Sequence, residues 1–296
     1  MQIAEYTVPF PVRRYEVDRF GFVHDHVYQQ YMEEAAIEAS TAAGFGPNWY
    51  EEHGTVWVVR DIVIDYLKPA SSDDTLEIRT WIADFHRVRS HREYEVYRQA
   101  GQQLLARASV DWVYVDRRRL WPIKIPAEAM TALRLNERYA VPPTRPVPAL
   151  PAEQTEREFR SARKVQRHEV DGMSHVNNAI YVTWFEEGVL AALAACLPPA
   201  AQTGWPCWRQ HHIEYLSAIL PGEEVEIVTR LVGLGRARSA WHSEVRRRGS
   251  KEAAIRDDSI VFYLDDKRHP QRWPRDLAHM SPDTRPAGVP DSRSNS

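Results

Sequence analysis

Residues 165–187 read VQRHEVDGMSHVNNAIYVTWFEE and residues 12–34 read VRRYEVDRFGFVHDHVYQQYMEE, and the two stretches align at an offset of 153 with nine of 23 positions identical. Farther along, residues 64–116 align with 213–265 at an offset of 149, with 15 of 53 positions identical. Chance pairing would give about three or four identities over the longer stretch. The chain therefore contains one structural unit twice. Two copies of roughly 110 residues favour a pair of similar domains, because solenoids need three or more repeats.

Each copy carries the same order of predicted elements. Apolar residues recur at i, i+3, i+4, i+7 and i+8 from Tyr28 and from Tyr181, which predicts one amphipathic helix per copy. Asp25 and Asn178 lie just before these stripes and are suitable N-cap residues. An alternating segment precedes each helix, and four strand-like runs separated by turn residues follow it. We therefore predict an α+β fold of two β-α-β-β-β-β units, each an antiparallel sheet against one long helix.

Composition divides the chain of 296 residues into four segments. We predict an N-terminal domain over residues 1–140 and a C-terminal domain over residues 159–275. Between them, residues 141–158 contain VPPTRPVPALP, whose five prolines favour a stiff, extended linker. Residues 276–296 are rich in Pro, Ser, Asp and Arg and have few apolar side chains, which predicts a disordered tail.

Charge and hydropathy exclude several classes of partner. The formal net charge of −3 provides no global field that would attract nucleic acid or anionic lipid. The longest weakly polar stretch, residues 188–199, is too short to cross a hydrocarbon layer of ~30 Å. The first 17 residues lack the apolar core and cleavage site of a secretory signal, and two cysteines cannot form a disulfide framework. We expect a cytoplasmic protein without nucleic-acid or membrane partners.

With these repeats, the chain resembles tandem hotdog-fold acyl-CoA and acyl-ACP thioesterases of the 4-hydroxybenzoyl-CoA thioesterase-like superfamily. Asp18 is followed by Gly at +3, an aliphatic residue at +5 and Tyr at +10, and Asp171 is followed by the string His-Val-Asn-Asn at 175–178 and a Tyr. The resemblance spans about 12–120 and 163–266. It implies two hotdog domains that form an intramolecular pseudo-dimer. It also implies hydrolysis of a thioester to a free acid and a thiol in fatty acid metabolism, without a cofactor.

The two copies depart from the family pattern in different ways. Plant acyl-ACP thioesterases carry Asn two residues before the motif His, where this chain has Met173. The first copy has Phe22 in place of that His. The resemblance therefore transfers the Asp-centred form of the catalytic machinery rather than the plant form.

Thioester hydrolysis needs a carboxylate nucleophile or an activated water, together with hydrogen-bond donors for the oxygen that becomes negative. Asp18 and Asp171 lie seven residues before the two predicted N-caps, so each loop can fold its Asp over an amide-rich helix N-terminus. We predict both as catalytic groups, with His175 and Asn177 beside Asp171. The predicted oxyanion donors lie at the helix N-termini, at His24, Asp25 and Asn178. Whether the Asp attacks directly or activates water stays open.

Structural explanations compete with these roles. A loop Asp before a helix commonly bonds the backbone of its own turn, and Asn177 is equally well explained as a capping or turn residue. His175 could act directly or only orient the loop. Two acidic pairs follow the first helical turns, namely Glu33, Glu34, Glu186 and Glu187. One member of each pair could face the site, but solvated helix positions are the favoured expectation.

The remaining predictions concern ligands and alternatives. Four repeat-matched arginines offer charge-assisted contacts to the phosphates of CoA or phosphopantetheine, namely Arg87, Arg89, Arg236 and Arg238. Because His211 and His212 are adjacent on a strand and point to opposite faces, we predict no metal site.

We expect an acyl-CoA or acyl carrier protein thioester as substrate, and a homodimer of the tandem unit stays open. A non-catalytic acyl-thioester-binding or regulatory hotdog protein, or a hotdog dehydratase, are the alternative functions.

Overall fold

The computed structural model describes residues 2–142, 147–151, 158–197, 203–274 and 277. The strands in these ranges are β1 (Tyr6–Pro11), β2 (Thr55–Tyr66), β3 (Thr75–His86), β4 (Arg89–Arg98), β5 (Gln103–Asp116), β6 (Phe159–Lys164), β7 (Trp205–Tyr215), β8 (Glu224–Leu234), β9 (Arg238–Arg247) and β10 (Ala253–Leu264). The α-helices are α1 (Asp25–Ala42), α2 (Pro47–Glu52), α3 (Ala127–Ala132) and α4 (Ile180–Cys196). Short 3-10 helices, Arg14–Glu16 and Arg167–Glu169, precede the two long helices.

All ten strands form one antiparallel sheet, in the order β1-β3-β4-β5-β2-β7-β10-β9-β8-β6. Each half of this order is one copy of the repeat, and the two halves meet where β2 pairs with β7 over residues 61–65 and 210–214. The predicted β-α-β-β-β-β order is confirmed in both copies. The predicted pairing of two hotdog units within one chain is confirmed as well.

Side chains at the β2–β7 junction bind the two halves to each other in nearly symmetric pairs. The Arg60 guanidinium donates to the carbonyl of Tyr215, and the repeat-equivalent Arg209 donates to the carbonyl of Tyr66. Such paired contacts to backbone carbonyls fix the register of the central strands, since a slip of one residue would break both.

One apolar core extends through both halves. It joins the predicted stripe of α1 to that of α4 and continues into the sheet. Its largest fully buried helical side chains are Tyr181, Trp184, Phe185 and Met32. On α4, Gly188 lets the helix approach β8, because a Cβ atom at this position would lie 2.6 Å from the hydroxyl oxygen of Thr229 and 3.0 Å from a methyl carbon of Ile227. The small residue at position 188 therefore determines how closely α4 packs on β8.

The predicted linker and tail lie largely outside the described residues. Within the linker, the N–H of Leu150 donates to the carbonyl of Val232 in β8 at 3.0 Å, whereas residues 143–146 and 152–157 are not described. Of the predicted tail, Leu277 is described, and it is buried in the C-terminal half. None of the helices in the described ranges is both long enough and apolar enough to span a lipid bilayer.

We expect Gly188→Val to lower the free energy of unfolding by about 1–3 kcal/mol, because added volume at a tight helix–sheet contact forces backbone shifts. Urea denaturation followed by circular dichroism measures this change. Leu190→Val is the matched control, since Leu190 is 45% exposed on the same helix and its replacement tests helix propensity alone. Equal stability of the two variants would show that α4 does not pack on β8 as described.

Candidate active site

The loop before each long helix has the same backbone hydrogen bonds in both halves. The N–H of Asp18 donates to the carbonyl four residues on at 2.7 Å, and the N–H of Asp171 does the same at 2.9 Å. Three residues after each Asp, Gly21 and Ser174 adopt left-handed φ angles of 82° and 61°. The turn requires a left-handed backbone conformation at this residue, and serine adopts that conformation less readily than glycine. The two loops are therefore equivalent in conformation.

Two repeat-matched tyrosines hold these loops against the sheet. The hydroxyl of Tyr66 donates to the carbonyl of Asp25 at 3.2 Å, and the hydroxyl of Tyr215 donates to the carbonyl of Asn178 at 3.0 Å. In the second pair, the Gln29 amide nitrogen also donates to the Tyr215 hydroxyl at 2.8 Å. The two tyrosines match between the repeats, but the sequence does not indicate this role. The role depends on a contact between the end of a strand and a loop that is distant in the chain.

The helix starts differ from the predicted N-caps. His24 caps α1, and Asp25 is the first helical residue. Ala179 precedes α4, and its N–H donates to Oδ1 of Asn177 at 3.0 Å. Asn177 thus has the capping role that was predicted for Asn178. Each predicted N-cap, Asp25 and Asn178, is wrong by one residue, because the turn geometry rather than residue type sets the first helical φ and ψ.

A cavity of about 450 Å³ lies in the N-terminal half between α1, α2 and the sheet. Its aromatic walls are formed by Phe45, Tyr50, Trp57 and Trp112. The loop residues Asp171, Gly172 and Met173 of the C-terminal half also line it. The site is therefore composite: one half provides the pocket and the other provides the predicted catalytic loop.

Glu33 of α1 meets this loop in the cavity wall. Burial and the neighbouring Asp171 carboxylate raise the pKa of Glu33 to about 7, against a hydrogen bond from the Asn177 side chain that lowers it. The adjacent Glu34 is exposed. The expectation that Glu33 lies on a solvated helix face is wrong, because a helix from one half is covered by a loop of the other. Two carboxylates and an amide thus converge at the cavity.

Asp18 has a different environment from Asp171. Its carboxylate accepts the backbone N–H groups of Phe20 at 2.8 Å and of Phe22 at 3.0 Å, as a turn-forming Asp does. The Asp171 carboxylate accepts the N–H of Met173 at 2.8 Å and borders the cavity. Of the two predicted catalytic Asp residues, only Asp171 is a wall residue of the described cavity.

The other predicted site residues lie elsewhere among the described residues. His175 is partly buried and His24 is exposed, and the cavity wall includes neither of them. The four predicted phosphate-binding arginines are in or beside the β3–β4 and β8–β9 turns, away from that wall, and they are Arg87, Arg89, Arg236 and Arg238. Arg89, with a side chain that is 54% exposed, lies 3.5 Å from the carboxylate of Asp111.

A basic group that the sequence analysis missed borders the cavity. Arg117 is exposed and belongs to its wall, in the run Arg-Arg-Arg at 117–119 that follows β5. Arg117 corresponds to Asp266 in the second copy, where 266–268 read Asp-Lys-Arg, so comparing the repeats gave no indication of it.

The position equivalent to Glu33 in the second copy, Glu186, belongs to a buried charged cluster. His211 Nδ1 lies 3.0 Å from both carboxylate oxygens of Asp257, and its Nε2 lies 3.9 Å from Glu186. Burial lowers the pKa of His211, but these carboxylates outweigh burial and raise it to about 10. Burial and Glu186 raise the pKa of Asp25 well above its ordinary value. A protonated imidazole therefore offsets part of the buried negative charge.

This cluster also has the composition of a candidate cation site. Asp25, Glu186 and His211 each present one ligand-type atom, and these atoms lie within 4.8 Å of one another. The expected opposite orientation of the adjacent histidines is confirmed, since His212 Nε2 lies 2.9 Å from Asp61, away from Asp257. A proton on His211 opposes cation binding, because a metal needs the neutral ring. That no metal binds here stays a prediction.

The two halves differ most where the cavity lies. Ser40 and Arg92 of its wall correspond to Leu193 and Trp241 in the second copy. Both apolar residues are buried in a packed cluster between α4 and the sheet. Trp241 pairs with Leu231 across β8–β9 just as Arg92 pairs with Ile82 across β3–β4, so the positions are equivalent in the fold. Bulky apolar side chains therefore occupy the corresponding space in the C-terminal half.

The sequence profile of the Thioesterase-like superfamily matches residues 12–133 and 165–281. The palmitoyl-acyl carrier protein thioesterase of Cuphea hookeriana is 26% identical over 255 residues, with 78% of this chain and 61% of that protein covered. The acyl-[acyl-carrier-protein] hydrolase FATB2 of Cuphea viscosissima is 25% identical over 230 residues, with 73% and 55% covered. The chain thus spans little more than half the length of these relatives.

Two solved structures show the same fold. The 12:0-ACP thioesterase from Umbellularia californica has a TM-score of 0.70 at 18% identity, covering 88% of this chain and 94% of that one. An acyl-ACP thioesterase from Bacteroides thetaiotaomicron has a TM-score of 0.68 at 16% identity, covering 87% and 97%. At these identities the likeness concerns the tandem hotdog architecture.

The raised pKa of Glu33 predicts a pH-dependent stability. The folded pKa exceeds the ordinary value of 4.5, so the folded state loses stability as pH rises from about 4.5 to about 7 and no further above that. We expect Glu33→Gln to remove this loss, so that relative to the wild type the variant gains about 3 kcal/mol of unfolding free energy between pH 4.5 and pH 8. Urea unfolding at the two pH values measures it, with Glu34→Gln as the exposed control. The same pH dependence in both variants would contradict the burial of Glu33.

Proposed function

Because this chain belongs to the Thioesterase-like superfamily, we propose that it hydrolyses an acyl-CoA or acyl-ACP thioester to a free acid and a thiol. The observation that carries the proposal is the meeting of Asp171 and Glu33, from opposite halves, at one aromatic-lined cavity. The relatives named as acyl carrier protein thioesterases support the reaction class. The cavity provides an apolar site for the acyl group, and the carboxylates provide a base for water.

In the proposed reaction, a water held between Asp171 and Glu33 attacks the thioester carbonyl. Its proton goes to Glu33, whose raised pKa of about 7 makes its carboxylate a base suited to neutral pH. The Asn177 amide, bonded to Glu33, fixes the orientation of that carboxylate. When the tetrahedral intermediate collapses, the C–S bond breaks and the thiolate takes the proton from Glu33. Asp171 accepts a hydrogen bond from the water and holds it in position.

The negative oxygen of the intermediate needs a donor near the N-terminus of α4. The N–H of Asn178 donates to no residue in the described part of the chain, and the Tyr215 hydroxyl holds the carbonyl of the same residue. We assign the oxyanion contact to this N–H, where the helix dipole adds partial positive charge. His24 and Asp25 occupy the equivalent place in the other half.

The proposal places catalysis in one composite site. The loop with Asp18 faces the half in which Trp241 and its neighbours fill the acyl space. We therefore propose that the site of Asp18 is inactive, and that the exposed Arg117 contacts a phosphate of the carrier at the open cavity. This differs from the prediction of two catalytic Asp residues and of phosphate contacts by the hairpin arginines.

We expect Asp171→Asn to lower kcat/KM by about 100- to 10,000-fold, the range that a positioned acid–base group contributes. The Asn side chain can still accept the Met173 N–H, so the turn is retained. Asp18→Asn is the matched control and should change kcat/KM by less than about threefold. Thiol release from a panel of acyl-CoA and acyl-ACP substrates is the measurement. Equal losses in the two variants would contradict the single composite site, and no thiol release by the wild type would favour a binding protein.

The base role of Glu33 predicts the shape of the pH profile. Only the deprotonated carboxylate accepts a proton, so kcat/KM should be low in acid, rise through about pH 7 and then level off. Glu33→Gln should lower the plateau by about 100-fold or more and remove the rise. Glu34→Gln should keep the wild-type profile. A rise through pH 7 that survives in Glu33→Gln would assign the titrating group elsewhere.

A further inference from the structure

The acyl cavity contains a buried guanidinium. Arg92 is 5% exposed and belongs to the cavity wall on β4. Among the described residues its hydrogen-bond partner is the hydroxyl of Thr80, which accepts from Nη1 at 3.2 Å. A guanidinium has five N–H donors, so most of its donors have no protein acceptor.

No carboxylate of the described chain neutralises this cation. Glu93, its neighbour in sequence, points to the opposite face of β4, where it accepts from the hydroxyl of Ser109 and the N–H of Ala140. Glu5 borders a small adjoining cavity with Arg92, but it pairs with Arg138 at 3.1 Å. Burial lowers the pKa of Arg92, and the groups that oppose this are the phenols of Tyr94 and Tyr50. Arginine nonetheless stays protonated.

The position of this cation relative to the reaction centre follows from α1. Glu33 and Ser40 both line the cavity and are separated by seven residues, or about 10 Å along the helix. The hydroxyl of Tyr50 accepts from Trp57 Nε1 at 3.0 Å and bonds Ser40, and it lies close enough to Arg92 for their charges to interact. The wall between is apolar, at Ala36 and Ile37. The cavity therefore has carboxylates at one end and a cation among hydroxyls at the other.

The contrast between the two halves shows that a cation is not needed for the fold at this position. The equivalent residue in the second copy is Trp241, which is fully buried. An unpaired buried charge is costly, whereas an apolar side chain fills the same place in the same fold. The guanidinium is therefore explained by a ligand rather than by packing.

Resting on the hydrolysis proposed above, we infer that the acyl group carries a carboxylate at its end remote from the thioester, and that Arg92 binds it. A carboxylate accepts two parallel N–H bonds from a guanidinium and supplies the missing negative charge. The apolar wall contacts the methylene chain between the two functional groups. The substrate class is then the monothioesters of straight-chain dicarboxylic acids. Arg92 determines specificity and takes no part in the bond-breaking step.

The experiment compares pairs of CoA thioesters of equal chain length, one with a terminal carboxylate and one with a terminal methyl group. Wild-type protein should prefer the carboxylated member by about 10- to 100-fold in kcat/KM. Arg92→Met should remove this preference, because kcat/KM for the carboxylated member falls by about 10- to 100-fold. A wild-type preference for the methyl-terminated members, or a preference that survives in Arg92→Met, would overturn the inference.

A binding measurement separates this inference from the proposed reaction. Calorimetry with free octanedioate and the neutral octane-1,8-diol as probes, on the wild-type protein, should show tighter binding of octanedioate by about tenfold or more. Arg92→Lys, which keeps the charge but not the fork of donors, should retain part of that difference. Preferred octanedioate binding without hydrolysis of any thioester would refute the reaction but support the Arg92 site. Hydrolysis of methyl-terminated thioesters with equal binding of both probes would refute the Arg92 site alone.

Discussion

The pairing of β2 with β7 is the constraint on which the rest of the structure depends. It joins two five-stranded halves into one sheet, and Arg60 and Arg209 hold it by contacts to backbone carbonyls of the opposite half. Because the strands meet in one register, the loop that precedes α4 is brought to α1 rather than to its own half. The convergence of Asp171 on Glu33 is a consequence of that register, and neither half contains it alone.

Duplication within one chain allows the two equivalent sites to diverge. In a symmetric dimer of identical units, every substitution would appear at both sites. Here Ser40 and Arg92 line an open cavity, while Leu193 and Trp241 close the equivalent space. The C-terminal half gains a packed apolar cluster from this change, and it keeps the loop that the other half requires. One site is thus available for ligand, and the other contributes to stability.

The charged groups at the two equivalent sites also differ between the halves. At the closed site, the negative charge of Glu186 and Asp257 is partly offset by a protonated His211. At the open site, burial and the neighbouring Asp171 carboxylate raise the pKa of Glu33 to about 7. Buried like charges separate the proton affinities of two groups, and this is the usual origin of a base that works near neutral pH. The two halves therefore place equivalent glutamates in different surroundings, Glu186 beside a buried imidazolium and Glu33 at the wall of the cavity.

The sequence by itself determined the repeat, the helix stripes, the strand order and the loop motif, because these depend on local periodicity and on comparison of the copies. It also singled out Asp171 and Asn177, whose catalytic roles stay predictions. It could not place Glu33 or Arg92 in the cavity. The surroundings of a helix position that looks solvated, or of an arginine in an alternating strand, depend on which distant residues pack against it in the folded chain. Only the tertiary structure showed that Asp18 and Asp171 differ: their loops are the same, and the space that each loop faces is set by side chains of the other half.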